Sequence, residues 1–267
     1  MRPADTVAPV TDPYLPGESS DPAARDPTAA VTDHVRRSWD RETLPRGDEK
    51  RQVVQQMFDA IAGRYDLVNR VMTFGLDIRW RRHTVAELHL EPASVVLDLA
   101  SGTGDLCVNL MRAGYRPISI DLSLGMLKAD RSGAPRVQAD ILRLPIGPAA
   151  VDGVTCGFAL RNLVELEAFF AELVRVVRRG GRIALLDVGI PSNPVIRWGN
   201  GIYFGKVVPR IGALLSDGAA YRYLPKSVSY LPPPAAMLAM LNDAGFVHVS
   251  HHFLSGGLTQ LLVGTRA

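Results

Sequence analysis

Cysteines and long apolar runs are both scarce in this chain. It has two cysteines in 267 residues, Cys107 and Cys156, and neither stands at the spacing of a metal ligand. Two isolated thiols in apolar surroundings exclude a disulfide framework, and they predict a reduced, cytoplasmic protein with no metal site. No run approaches the roughly 18 apolar residues of a membrane span, and the N-terminus lacks an apolar signal core.

The charge of the chain is nearly balanced, which limits the partners to be expected. The formal net charge is +3, which is too small to indicate a nucleic-acid partner. The one compact basic cluster, residues 79–82, is typical of the solvated face of a helix. With 47% hydrophobic and 21% charged residues, the composition is that of a globular protein, and the length suffices for one sizeable core.

The N-terminal segment differs from the rest of the chain. Residues 1–46 contain seven of the 19 prolines and little periodic apolar content, so they predict a disordered tail. The folded domain is predicted over residues 47–267. Apolar side chains recur at helical spacing near its start, namely Val53, Val54, Met57, Phe58, Ile61 and Tyr65. The predicted amphipathic helix packs on the core, closes over a cofactor or touches a lipid-like substrate.

The most informative stretch is residues 95–105, Val-Val-Leu-Asp-Leu-Ala-Ser-Gly-Thr-Gly-Asp. An apolar run that contains Asp98 leads into a turn with Gly102 and Gly104, and a helix-forming segment follows. This pattern predicts a buried parallel strand and a loop too tight for side chains. A ligand can then lie against backbone amides at a helix N-terminus, so we expect a cofactor site near residue 100.

The acids around this loop indicate which cofactor is bound. A dinucleotide fold needs a third glycine where Cys107 stands, so that match is only partial. S-adenosylmethionine (SAM) has no phosphates and needs acids instead. Asp98 and Asp105 flank the turn and suit its ammonium group. Asp121 follows the next apolar segment and can accept two hydrogen bonds from a ribose diol, and Asp140 can meet the adenine amino group. The ordered set favours SAM over an interpretation in which the acids only cap helices.

Strand and helix patterns alternate beyond the glycine loop, which predicts a parallel sheet covered on both faces. The predicted strands are residues 94–99, 116–121, 135–138, 151–158, 182–188, 246–253 and 259–265, with a helix over 165–178. The fold class is therefore α/β, a Rossmann-like, seven-stranded and mostly parallel sheet. Ligands in such sheets bind beyond the C-terminal ends of the strands, where the strand order reverses.

Arg161 and Asn162 stand at the exit of the fourth predicted strand. At a strand end such a pair is often solvent-facing or a loop anchor, but here it falls beside the expected cofactor. The guanidinium is not a base at neutral pH, because its pKa is far too high. It can stabilise a phenolate-like charge, or hold and polarise a water that removes a proton.

Four separated groups of motifs carry a resemblance to a known family. They lie in residues 57–81, in 97–105, in 158–162 with 175–182, and in 209–257. The most specific are Arg64-Tyr65-Asp66-x-x-Asn69 and Leu160-Arg161-Asn162, since glycine loops are general among methyltransferases. The chain resembles the ubiquinone/menaquinone biosynthesis C-methyltransferases (the UbiE/MenG type), which are class I SAM-dependent methyltransferases. The likeness spans roughly residues 50–267.

The resemblance implies methyl transfer from SAM to a ring carbon of a reduced polyprenyl quinone precursor, most specifically from demethylmenaquinol to menaquinol. It implies that Tyr65, Arg161 and Asn162 line the acceptor site, and we expect them to orient a water that takes the quinol proton. Thr103, Asp121, Asp140 and Ile141 are implied to contact SAM. With the loop residues and the strand-end glycine, the expected SAM-binding set is Asp98, Gly102, Thr103, Gly104, Asp121, Asp140, Ile141 and Gly157.

Residues 190–231 mix glycines with large apolar side chains, as an apolar lid over the polyprenyl tail would. An ordinary helical insertion or a homodimer contact is an alternative role for this segment. Because a polyprenyl acceptor lies in the membrane, we expect transient contact with the inner face of the cell membrane and no insertion.

The chain departs from the family pattern at several positions. Asp77 stands where a histidine is usual, Ser101 where cysteine or glycine is commoner, and Gly157 where a serine often helps to hold the cofactor. Residues 187–189 read Asp-Val-Gly in place of Glu-x-Ser. These changes leave open another aromatic, polyketide or benzoquinol acceptor. A SAM-binding regulatory or scaffold protein without catalysis is the alternative from another class.

Overall fold

The computed structural model describes residues 47–208, 210 and 227–267. The predicted tail, residues 1–46, lies outside the described residues. So do residue 209 and residues 211–226 of the predicted lid segment.

A seven-stranded sheet forms the centre of the described structure. Its strands are β1 (Val95–Leu99), β2 (Arg116–Asp121), β3 (Arg136–Gln138), β4 (Val151–Gly157), β5 (Val177–Val188), β6 (Phe246–Leu254) and β7 (Thr259–Arg266). They lie in the order β3-β2-β1-β4-β5-β7-β6, and the pairs are parallel except those made by β7. The predicted α/β, mostly parallel sheet is confirmed. The strand order reverses between β1 and β4, which is where such sheets bind ligands.

Helices cover both faces of the sheet. They include α1 (Gly47–Ile61), α2 (Tyr65–Met72), α3 (Leu76–Ala86), α4 (Asp105–Arg112), α5 (Leu124–Ala129), α6 (Leu166–Val176), α7 (Pro194–Ile202) and α8 (Pro234–Ala244). On one face, Phe169 and Phe170 of α6 are fully buried against the sheet beside Leu241 of α8. On the other, Trp80 of α3 packs with Leu110 of α4. Burying these apolar faces is the main source of stability for such a layered domain.

The N-terminal helices form a third apolar cluster above the sheet. Val53 and Met57 of α1 pack with Met126 of α5. The prediction of one continuous helix through Tyr65 is wrong, because a 3-10 turn, Ala62–Arg64, separates α1 from α2. Gly63, a poor helix former, lies at this break. As a result, Tyr65 begins α2 and points toward the carboxyl ends of the strands, where it lines the cavities described below.

Strand β5 starts earlier than the sequence pattern predicts. The helix before it ends at Val176, and Val177 already pairs with Val151 of β4, whereas the predicted strand began at residue 182. The register then shifts, so the next partners are Gly153 and Arg182. Gly181 lies inside this bulge, where a Cβ would come within 2.6 Å of the Asp152 carbonyl oxygen. The glycines between the helix and residue 182 thus form a bulge within the strand.

The described part of residues 190–231 packs beside the N-terminal helices. After α7, a π-helical turn covers Tyr203–Val207, and the Tyr203 hydroxyl donates to the Met72 carbonyl oxygen at 2.8 Å. A 3-10 turn, Val228–Tyr230, precedes α8. Over the described ranges, none of the helices combines the length and the apolar character that crossing a membrane requires.

Candidate functional site

The glycine loop joins β1 to α4 at the reversal of strand order. The Gly102 amide donates to one oxygen of the Asp121 carboxylate at 2.8 Å, and the Ser123 amide donates to the other at 2.8 Å. Burial raises the pKa of Asp121, although these amide bonds act in the opposite direction. Gly104 has a φ of +86°, and a Cβ there would overlap the Asp130 carboxyl group. The loop therefore requires glycine at this position, as the sequence predicted.

Three adjoining cavities open at the carboxyl ends of the strands. Their volumes are about 370 Å³, 120 Å³ and 30 Å³, and we call them the large, middle and small cavities. Tyr65 and Phe158 line all three, so these two aromatic side chains stand at the junction. Phe158 has a φ of +61°, an uncommon conformation for a bulky residue, and strain of this kind clusters at functional sites.

The middle cavity contains four of the predicted SAM-binding residues. They are Asp121, Asp140, Ile141 and Gly157. One oxygen of Asp140 accepts from the Leu142 amide at 3.0 Å, and the other lies 3.3 Å from the Arg51 guanidinium of α1. The cavity thus has acids at the ends of β2 and β3 and a covering helix above them. This donor and acceptor set suits a nucleoside.

The small cavity adjoins the glycine loop. Thr103 and Asp105 line it from the loop and the start of α4, and Arg81 lines it from α3. The Thr103 hydroxyl donates to Asp66 at 2.5 Å. The Arg81 guanidinium lies 3.5 Å from the Asp105 carboxylate. Because the small and middle cavities share Ala100 and Gly157 as well as the two aromatic side chains, one elongated ligand can extend through both.

Three predicted SAM-binding residues line none of these cavities, and of them Asp98 lies deepest in the structure. It is fully buried beneath the loop and lines none of the three cavities. Its carboxylate accepts from the Thr155 hydroxyl at 2.9 Å and from the Cys107 thiol at 3.4 Å. Burial raises the pKa of Asp98 to about 7. The other two, Gly102 and Gly104, shape the loop but line none of the three cavities.

The large cavity brings Tyr65, Arg161 and Asn162 together, as predicted. Most of its wall is apolar, formed by Met57, Phe58, Ile61, Met72, Phe74, Leu76, Trp80, Phe158, Val188, Ile196 and Leu258. The Arg161 guanidinium donates to Asp187 at 2.5 Å and to the Phe158 carbonyl oxygen at 2.6 Å. The Arg161 amide donates to the other Asp187 oxygen at 3.1 Å. Arg161 is thus fixed at both its backbone and its side chain.

Comparisons with known proteins agree with this geometry. The model of the ubiE/COQ5 methyltransferase family matches residues 46–266. The chain belongs to this family. It is 39% identical over 228 residues to a protein of Syntrophotalea carbinolica named ubiquinone/menaquinone biosynthesis C-methyltransferase UbiE, covering 81% of this chain and 95% of that protein. It is 36% identical over 236 residues to a demethylmenaquinone methyltransferase of Roseiflexus castenholzii, covering 84% of this chain and 97% of the relative.

A solved structure has the same fold. The SAM-dependent methyltransferase of Thermotoga maritima superposes with a TM-score of 0.58 at 16% identity, covering 80% of this chain and 99% of that one. The predicted family, enzyme class and cofactor are confirmed: the chain is a SAM-dependent methyltransferase. The roles of individual site residues stay predictions.

Tyr65 of this methyltransferase keeps its proton at neutral pH. Burial raises the pKa of the phenol, although the charges of Arg161 and Arg81 and a hydrogen bond with Asn69 act in the opposite direction. A protonated phenol at the junction of the cavities can donate a hydrogen bond to an acceptor oxygen. It is therefore unsuited to act as the base.

The sequence pattern did not predict that two charged residues of α3 are buried beside the site. Asp77 and Arg81 form a buried ion pair, and the Thr73 hydroxyl donates to Asp77 at 2.9 Å. Asp77 and Thr73 line the large cavity, whereas Arg81 lines both the large and the small cavity. The prediction that residues 79–82 form a solvated face is wrong for Trp80 and Arg81, which are buried. The i, i+4 spacing of Asp77 and Arg81 was the available signal.

Proposed function

We propose that this methyltransferase methylates a ring carbon of demethylmenaquinol to form menaquinol. The observation that supports this most strongly is the large apolar cavity, with polar side chains gathered where it meets the other two cavities. An apolar chamber suits a hydrophobic ring with a polyprenyl tail, and the polar side chains suit its hydroxyl groups. Relatives named demethylmenaquinone methyltransferase and UbiE support the same acceptor class.

We place the adenosine part of SAM in the middle cavity and its methionine part in the small cavity. Asp121 suits the ribose diol, because a carboxylate can accept two hydrogen bonds. Arg81 and Asp105 suit the carboxylate and the ammonium group of the methionine part. When bound, SAM supplies an electrophilic sulfonium methyl group. Tyr65 and Phe158 line all three cavities, so they would lie beside the passage from this group to the large cavity.

The residues of the large cavity activate the acceptor in this proposal. Arg161 and Asn162 hold a water molecule that takes the quinol hydroxyl proton, and the Arg161 charge stabilises the oxygen as it becomes anionic. Tyr65 donates to the same oxygen. The neighbouring ring carbon becomes nucleophilic and forms the bond to the methyl group as the bond between that group and sulfur breaks, so that S-adenosylhomocysteine leaves as a neutral product. The ring carbon then loses its own proton to solvent water and the oxygen regains a proton, which restores the aromatic quinol. Asp187 keeps the guanidinium in place throughout.

The acceptor is tested with purified full-length protein and methyl-labelled SAM. Chemically reduced short-chain demethylmenaquinol is compared with its oxidised quinone, a benzoquinol and a simple phenol. We expect label on the ring carbon of the demethylmenaquinol and one S-adenosylhomocysteine for each methyl group transferred. Activity confined to the benzoquinol or to the phenol would move the acceptor to another class. SAM binding without transfer to any of the four would refute the proposed acceptor class.

We also propose that the opening of the large cavity contacts the membrane surface. Phe74, which lines the cavity, is 79% exposed, and on α7 Val195 and Trp198 are 74% and 71% exposed. Exposed apolar side chains around a cavity mouth suit contact with lipid. Vesicles of anionic lipid should bind the Val195→Ser/Trp198→Ser protein roughly tenfold more weakly than wild type. Equal binding would remove the membrane contact from the proposal, and the predicted homodimer contact of residues 190–231 would then be tested by sedimentation.

A further inference from the structure

Lys50 is a buried lysine of α1 that contacts the turn carrying Arg161 and Asn162. Only 3% of the residue is exposed. Its ammonium group donates to the Arg161 carbonyl oxygen at 3.1 Å and to the Leu163 carbonyl oxygen at 2.7 Å. These carbonyls lie at the C-terminal end of the 3-10 turn Leu160–Asn162, where carbonyl groups lack partners within the helix. Lys50 therefore bonds this short turn at two neighbouring points.

A second contact joins Lys50 to another segment. The ammonium nitrogen lies 3.7 Å from the centre of the Tyr230 ring, which is within the range of a cation–π interaction. Tyr230 belongs to the 3-10 turn that follows residues 190–227. One side chain thus connects the N-terminal helix, the Arg161 turn and the segment before α8. A lysine ammonium has three donor hydrogens, which is enough for two carbonyl groups and one ring face.

We propose that Lys50 is a positioning residue, which holds the Leu160–Leu163 turn so that Arg161 and Asn162 face the large cavity. The inference rests on the proposed function of these two residues. Asp187 accepts from the guanidinium and the backbone amide of Arg161, and Lys50 donates to its carbonyl oxygen. With both ends held, the cavity-facing groups keep their orientation.

The charge on Lys50 makes this positioning depend on pH. Burial lowers the pKa of Lys50 to about 8. The Tyr230 ring faces it, Arg161 contributes its backbone carbonyl group, and Glu49 and Arg51 flank it in the sequence of α1. Above about pH 8 the ammonium loses a proton, and the bonds to the two carbonyls weaken. Turnover should therefore decline near this pH in the wild type and not in Lys50→Arg, since a guanidinium stays charged.

The test compares Lys50→Met with a matched control, Arg182→Met. Arg182 also donates to two backbone carbonyls, those of Leu88 at 3.2 Å and Glu87 at 2.9 Å, but it lines none of the three cavities. We expect Lys50→Met to lower kcat by roughly 10²-fold, because a displacement of about 1 Å can have that effect, while the Kd for SAM stays within about threefold. Arg182→Met should lower Tm and leave kcat unchanged. Amide exchange at residues 161–163 should speed up in Lys50→Met alone.

Each outcome decides between the proposals. Unchanged kcat and unchanged amide exchange in Lys50→Met would overturn the positioning role, even with an active wild type. An inactive wild type would count against the proposed acceptor, whereas the exchange measurement would still decide the role of Lys50. If Lys50→Met does not fold, the proposal is tested by the decline of wild-type turnover above about pH 8 and by the loss of this decline in Lys50→Arg. A decline that persists in Lys50→Arg would refute the proposal.

Discussion

Replacing Arg161 should separate its structural role from its role in methyl transfer. Arg161 and Asp187 form a buried ion pair, and both residues are almost fully inaccessible. Removing one partner of such a pair destabilises a protein by about 3–5 kcal/mol, because the other charge is left buried without compensation. At about 2–4 °C for each kcal/mol in a domain of this size, Arg161→Met should lower Tm by about 6–20 °C. Its turnover should fall by roughly 10²–10³-fold, which is typical for the loss of one group that stabilises developing charge.

The double variant Arg161→Met/Asp187→Asn isolates the catalytic contribution. With both charges removed, most of the lost stability should return, because no uncompensated charge remains. Turnover should stay low, since the guanidinium is still absent from the large cavity. Tm is measured by calorimetry and turnover by release of S-adenosylhomocysteine with short-chain demethylmenaquinol. Recovery of turnover together with stability would refute the reasoning, because Arg161 would then act only through the fold.

Three further outcomes are expected. Gly104→Ala should lower the free energy of unfolding by about 2–5 kcal/mol in denaturant titrations, from backbone strain and overlap with Asp130, and an unchanged value would contradict the loop geometry. The pKa of Asp98 is raised to about 7, so folding favours its protonated form. Its contribution to the free energy of unfolding is therefore complete below about pH 4 and is lost as the pH rises through about 7. This loss, up to about 4 kcal/mol, should disappear in Asp98→Asn, and an equal decline in both proteins would exclude Asp98 as its source. The Thr259 hydroxyl is buried without a hydrogen-bond partner in the described structure, so Thr259→Val should keep or raise stability by up to about 1 kcal/mol in urea titrations, whereas a clear loss would indicate a missed bond.

The sheet and much of the cofactor site could be predicted because local patterns specify them. Buried parallel strands read as short apolar runs, and their carboxyl ends meet at one edge of the sheet. Asp121 and Asp140 follow β2 and β3, and the structure places both in the middle cavity. Gly157, at the end of β4, lines the same cavity. The same reasoning predicted Arg161 at the exit of the fourth strand, and the structure places it in the large cavity.

The remaining features depend on contacts between distant parts of the chain. Asp98 pairs in register with Thr155 of β4 and accepts its hydroxyl, so it lies beneath the loop although its position in the motif resembles that of a ligand. Arg81 is buried because Asp77 and Asp105 compensate its charge. Lys50 meets carbonyls more than a hundred residues away. Periodicity along the sequence cannot indicate which charged side chains acquire such partners.

Methyl transfer in this site requires one bound ligand that extends through the middle and small cavities, with its sulfur atom facing the large one. A crystal structure with S-adenosylhomocysteine measures this. The ribose is predicted beside Asp121, the amino-acid end beside Asp105 and Arg81, and the sulfur next to Tyr65 and Phe158. A sulfur atom that faces away from the large cavity, or a nucleoside outside the middle cavity, would contradict the account.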